Sequence, residues 1–258
     1  MAMIDIQDVS RRFEHTNRSF LAITDVSLRI DKPEVVSIVG PSGCGKSTVL
    51  NMIAGLLEPT SGTVRYRGAA VPMPNTAVGY MTQKESLFPW RTVLGNVSLP
   101  LRIRGASRAE ARARAMEMIK MVNLDGFESA FPAELSGGMR KRAMLARTLA
   151  YFPEVLLADE PFGALDAHLK LQMQQELLDQ FERVPIPMVF VTHDLAEAVT
   201  LADRVIVISR APGTVRLEYP VDIDRPRDVY KIRNTPEYQR IYDDLWRAMV
   251  PDMIEEGR

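Results

Sequence analysis

Nearly unbroken apolar stretches punctuate this chain at Val35 to Val39, Val78 to Met81, Val155 to Ala158, Met188 to Val191 and Arg204 to Ile208. They are too uniformly apolar to leave one sheet face wet, so they predict strands of a parallel sheet covered on both sides. Between them lie helical patterns at Ser47 to Leu57, Ser107 to Val122, Met139 to Leu149, His168 to Phe181 and Leu195 to Ala202. Met3 to Val9 and Ala22 to Ile30 instead alternate apolar and polar residues, as half-buried antiparallel strands do.

Strand signals vanish between Lys84 and Phe152, which predicts a helix-rich insertion. The expected fold is α/β: a mainly parallel sheet core, an accessory antiparallel β-subdomain and a helical subdomain. One domain is expected over 1–258, with core and β-subdomain at about 1–83 and 153–210 and the helical subdomain at about 84–152. The tail, 211–258, carries Pro212, Pro220 and Pro226 before a helix that Thr235 can cap and Pro236 can open. Tyr238, Ile241, Tyr242, Leu245 and Met249 form one apolar face of that helix, which is expected to pack back on the same domain.

A chain of 258 residues can bury a large core without staples, and its single cysteine excludes an internal disulfide. No signal-peptide core or transmembrane span is evident, which suits a reducing compartment. A formal charge of -1 gives no global attraction to nucleic acid, and none is expected as a partner. Arg102, Arg104, Arg108, Arg112 and Arg114 form a local basic patch, but Ser107 and Glu110 read as a capping box opening a helix. The arginines are therefore expected on its solvated face.

Against this frame stands Gly40-Pro41-Ser42-Gly43-Cys44-Gly45-Lys46-Ser47-Thr48, a G-x-x-x-x-G-K-[ST] loop joining an apolar strand to a helix start. Glycines let the main chain turn tightly and aim N–H groups at phosphate oxygens, and the helix N-terminus adds partial positive charge. In such a loop Lys46 reaches the β- and γ-phosphates and Ser47 ligates Mg²⁺. Cys44 has no visible catalytic partner and reads as a small loop residue. Leu156 to Ala158 end in Asp159 and Glu160, two carboxylates where open α/β sheets bind ligands: Asp159 on the metal side, Glu160 as base. Leu135-Ser136-Gly137-Gly138 precedes another helix start and supplies a second anion-binding device.

These residues resemble the ATPase subunits of ATP-binding-cassette (ABC) transporters, which carry the P-loop NTPase (RecA-like) fold. The correspondence runs in order through the phosphate loop Gly40 to Thr48, the glutamine loop at Gln83 and the signature Leu135 to Met139. It continues through the acidic motif Leu156 to Glu160, the turn Ala164-Leu165-Asp166 and the switch histidine His193. The resemblance implies two cassettes sandwiching two ATP molecules head to tail, with Ser136, Gly137 and Gly138 facing the partner's γ-phosphate.

It further implies that Phe13 stacks on adenine, that His193 places the γ-phosphate and attacking water, and that Gln83 contacts Mg²⁺ or water. Asp159 would hold Mg²⁺ through water, and Lys46, Gln83, Glu160 and His193 would form the catalytic set. Ser86 to Trp90 would receive a short cytoplasmic helix of a membrane permease, whose solute comes from an extracytoplasmic binding protein. That puts the chain at the cytoplasmic face of the cell membrane.

Met139 and Lys141 stand where glutamines are commoner in the family. Met139, together with Leu87 to Leu94, Ala211-Pro212-Gly213 and Arg225-Pro226-Arg227, resembles the nitrate/sulfonate/taurine importer subgroup. A soluble ABC-superfamily ATPase serving DNA or translation would carry a coiled-coil insertion or second cassette, and neither is present. A P-loop kinase would lack the signature and switch histidine.

Overall fold

The computed structural model describes residues 2–15, 18–84, 86–163, 165–183 and 185–256. In chain order, β1 (Ile4–His15), β2 (Arg18–Ile30), β3 (Val35–Val39), α1 (Lys46–Ile53), β4 (Ser61–Tyr66), β5 (Ala69–Ala70) and β6 (Val78–Met81) form the first part. Helices α2 (Val93–Ile103), α3 (Arg108–Met121) and α4 (Gly137–Leu149) follow, with no strand among them. The last part is β7 (Val155–Asp159), α5 (Ala167–Arg183), β8 (Met188–Thr192), α6 (Leu195–Leu201), β9 (Arg204–Ile208), β10 (Val215–Pro220) and α7 (Pro236–Glu256).

Two sheets result: a six-stranded one ordered β10-β9-β3-β8-β7-β6 and a four-stranded one ordered β2-β1-β4-β5. The five strands read from apolar runs all pair in parallel, β3 lying between β8 and β9 and β7 between β6 and β8. Their side chains show why the runs are continuous. Val35, Leu156, Ala158, Met188 and Phe190 pack into the core beneath α2 to α7, while Val36, Ile38, Val155, Leu157 and Val189 pack against α1 and the small sheet. Successive residues point to opposite faces, and both faces are covered.

The small sheet is antiparallel, as the alternation in Met3 to Val9 and Ala22 to Ile30 requires, although its strands run on to His15 and Arg18. Ser107 and Glu110 form the expected capping box on α3, whose buried face is Ala111, Ala115, Met118 and Ile119. Arg102, Arg104, Arg108 and Arg112 are exposed, and Arg114 stacks its guanidinium 3.8 Å from the Phe152 ring. Thr235 caps α7 as expected, and Tyr238, Ile241, Leu245 and Met249 are buried in the main core.

Four of these elements, β4, β5, α2 and β10, were not read from sequence. Val215–Pro220 falls in the stretch assigned to the tail but forms an antiparallel edge strand on β9. Its residues alternate half-buried and exposed, so it carries no continuous apolar run, and flanking prolines mask it. β4 has exposed residues over its first half, which hides its alternation. The α2 helix contains Pro100, a residue that argues against helix from sequence. Among the described residues no helix is long and apolar enough to cross a membrane.

Candidate active site

The phosphate-loop glycines answer a packing demand. Gly45 sits at φ 95° just before α1, and a Cβ there would come within 2.3 Å of Ile23 Cγ2. A Cβ on Gly43 would instead meet nothing within 4 Å, because that side of the loop faces open space. Pro41 and Cys44 point inward and are buried, so the loop offers ligands its main chain at those positions. Burial also pushes the Cys44 thiol upward from its ordinary pKa, against a nucleophilic role.

Lys46 is buried and its ammonium donates to the carbonyls of Gly40, at 2.8 Å, and Pro41, at 2.7 Å. Beside it β7 ends in Asp159, which is only 6 % exposed. Burial raises the Asp159 carboxyl above its ordinary pKa. A hydrogen bond from Ser47 opposes the rise, Glu160 adds to it, and the cations of Lys46 and Lys141 oppose it.

Glu160 follows in a left-handed conformation, φ 47°, with its amide donating to the Val191 carbonyl at 2.9 Å. That turn lets both of its oxygens be engaged. Oε2 accepts from the Gln83 amide at 3.0 Å, and Oε1 lies 3.1 Å from His193 Nδ1. Residues separated by as much as 110 positions thus meet at one carboxylate, because β6, β7 and β8 are adjacent and each ends at the same edge. The His193 side chain is otherwise open to solvent, 63 % exposed.

Lys46, Ser47, Gln83, Glu160 and Phe13 line a common cleft of about 300 Å³, together with Ser42, Gly43 and Thr48. Phe13 stands at its rim, 36 % exposed, with the Arg11 guanidinium 4.9 Å from its ring centroid. Its cross-strand partner Phe20 lines the same cleft and is half exposed, a residue that sequence reasoning missed. Pairing of two exposed aromatics across β1 and β2 was the available signal.

Ser136, Gly137 and Gly138 are not brought to this cleft. Ser136 is exposed and caps α4, accepting from Met139 N at 3.3 Å. Gly138 is buried because α5 lies against it, leaving a Cβ only 2.0 Å from Leu169 Cδ2. In the acidic turn, Ala164 lies outside the described residues, and Asp166 caps the start of α5 by accepting from Leu169 N. Sequence reading also missed the anchor beneath His193. Lys170 of α5 bridges Asp194 and the buried Glu197, and Glu197 accepts from Thr192.

Among the described residues no cluster of three or more His, Cys, Asp or Glu side chains could hold a metal alone. Ser47 and Asp159 nevertheless provide hard oxygen donors side by side, the partial donor set that suits Mg²⁺ shared with substrate phosphates. The residues therefore fit the ion that the loop implies.

Fold and cleft together define a phosphate-loop nucleotide hydrolase. The profile described as "ABC transporter" matches residues 23–163. The chain is 42% identical over 94% of its length to the nitrate import ATP-binding protein NrtD of Synechocystis sp., covering 93% of that protein. It is 41% identical to the taurine import ATP-binding protein TauB of Rhizobium johnstonii, covering 88% of each. The dimeric structure of MJ0796, a bacterial ABC transporter cassette, superposes with a TM-score of 0.78 at 35% identity, over 86% of this chain and all of that one. A post-hydrolysis state of MJ0796 bound to ADP and Pi superposes at 0.77, with the same identity and coverage. The chain belongs to the ABC transporter family, as one of its ATP-hydrolysing domains.

Proposed function

We propose that the chain is the ATPase subunit of an importer, two copies closing head to tail over two ATP molecules and driving a separate permease. The observation that carries this reading is the Glu160 carboxylate held between the Gln83 amide and the His193 ring, beside Lys46, Ser47 and Asp159. In it, main-chain N–H groups of Gly43 to Ser47 and the Lys46 ammonium bind the phosphates. Phe13 and Phe20 stack on the adenine. Ser47 and Asp159 would hold Mg²⁺, Asp159 through water and Gln83 beside them, and the bound ion would supply charge neutralisation at the phosphates.

Hydrolysis forms a bond from water oxygen to the γ-phosphorus as the bond to the ADP oxygen breaks. Glu160 accepts the proton of that water, and His193 orients it and the γ-phosphoryl group. Ser136, Gly137 and Gly138, outside the chain's own cleft, bind the γ-phosphate in the partner's cleft. An isologous pair then has two complete sites.

Phe88 and Trp90, with ring centroids 5.5 Å apart and Trp90 71 % exposed, form the docking point for a cytoplasmic helix of the permease. The chain then works at the cytoplasmic face of the cell membrane, and an extracytoplasmic binding protein delivers the solute. The names of its relatives favour nitrate, taurine or a related sulfonate. Adding the detergent-solubilised cognate permease should raise ATP turnover several-fold. Stimulation by DNA or ribosomes, with no response to the permease, would overturn the importer reading in favour of a soluble ATPase.

A further inference from the structure

Lys141 is nearly buried, 6 % exposed, on the second turn of α4. Its ammonium crosses to the glutamine loop and donates to the Gln83 main-chain carbonyl at 3.1 Å. The Gln83 side chain in turn donates to Glu160 at 3.0 Å. A second cation of the same helix, Arg147, grips the same loop by donating to the Ser86 carbonyl at 2.6 Å and to its hydroxyl. The loop is thus fastened to α4 at two points, and α4 begins at the Ser136 cap.

We propose that Lys141 is a positioning residue that couples the signature end of α4 to the Gln83–Glu160 pair, so that engagement of Ser136 by one nucleotide adjusts the hydrolytic carboxylate of the other site. This rests on the head-to-tail reading given above. Ser136 and Lys141 are five residues apart, about 7.5 Å of one helix, so the two ends move as a unit. A charge-assisted hydrogen bond to a carbonyl is strong and directional, and a shift of α4 moves the Gln83 main chain with it. A neutral apolar side chain in the same space leaves that carbonyl without its ammonium donor and the link broken.

The test is steady-state ATP hydrolysis by the full chain with Mg²⁺-ATP, comparing Lys141→Met, Lys141→Ser and Lys141→Arg. Small misplacements of catalytic groups are costly, so Lys141→Met should lower kcat by at least about tenfold with KM within about threefold of wild type. Its Hill coefficient for ATP should fall toward one. Lys141→Arg should recover most of both quantities. If the Met variant does not fold, Lys141→Ser, which admits water in place of the ammonium, carries the same expectation.

Wild-type kcat and cooperativity in a folded Lys141→Met or Lys141→Ser protein would overturn the proposal. So would a loss of ATP affinity and Tm that Lys141→Arg does not recover, because that pattern belongs to packing alone. Ser136→Arg separates the two readings: wild-type cooperativity in that variant overturns the head-to-tail arrangement, whereas wild-type kcat in Lys141→Met overturns the Lys141 link itself.

Discussion

The Lys46 cleft and the signature end of α4 are both glycine-flanked helix starts, but they differ in how much of their chemistry the chain completes. At the cleft, Lys46, Asp159, Gln83, Glu160 and His193 have contacts that fix their positions, and Lys46 and Asp159 are also buried. At the signature, Ser136 is exposed and does no more than cap its own helix. Side chains pre-set by their neighbours lose little freedom when a transition state forms. One region is therefore organised from within, while the other is organised as a surface to be met.

That contrast is broken most severely at Glu160. Glu160→Gln keeps an amide oxygen that can accept from Gln83, so the cleft should hold its shape, but the variant cannot take a proton from water. Turnover should fall by about 10²- to 10⁴-fold, the usual contribution of a general base, while ATP affinity stays at the wild-type value. Single-turnover assay beside an equilibrium nucleotide titration measures both, and hydrolysis at the wild-type rate would remove Glu160 from its role.

Ser136→Arg attacks the other region. Placed on the exposed signature, the larger cationic side chain should weaken the ATP-dependent dimer of a Glu160→Gln protein by at least about tenfold, or 1.4 kcal/mol. Binding of ATP to the single copy should be unaffected, because Ser136 lies outside the cleft. Analytical ultracentrifugation with and without ATP reads the result. A dimer as strong as that of the parent would mean that the signature is not the meeting surface.

Legibility in the sequence followed the same division. The loop Gly40 to Thr48 and the acids Asp159 and Glu160 are readable because strand, turn and chemistry are contiguous in the chain. The parallel strands are readable because burial on both faces demands unbroken apolar runs. The Lys170–Asp194–Glu197 bridge and the Lys141–Gln83 bond could not be read, because each joins distant segments and sequence gives no register between them. Lys141 was visible only as a departure from the family pattern; its meaning needed the distance to Gln83. The edge strand β10 escaped for a related reason, since a strand buried on one side beside prolines leaves a weak alternating trace.

The gentlest probe tests whether the organised half carries strain. Burial holds the Asp159 carboxyl above its ordinary pKa of 3.8, so the folded state binds its proton more tightly than the unfolded chain does. The stability contributed by the protonated group is full below the ordinary value and is lost as pH rises through the raised one. At neutral pH, therefore, an ionised Asp159 is a net burden on the ligand-free fold. Asp159→Asn keeps an oxygen to accept from Ser47 but carries no charge, and it should raise Tm by a few degrees near pH 7.5, about 1 kcal/mol for a chain of this size. The difference should shrink as pH falls into the acid range, where the wild-type carboxyl is itself neutral. Scanning calorimetry across that range decides the matter: equal Tm at neutral pH, or a gap that widens in acid, would mean that Ser47, Lys46 and Lys141 compensate the buried charge in full.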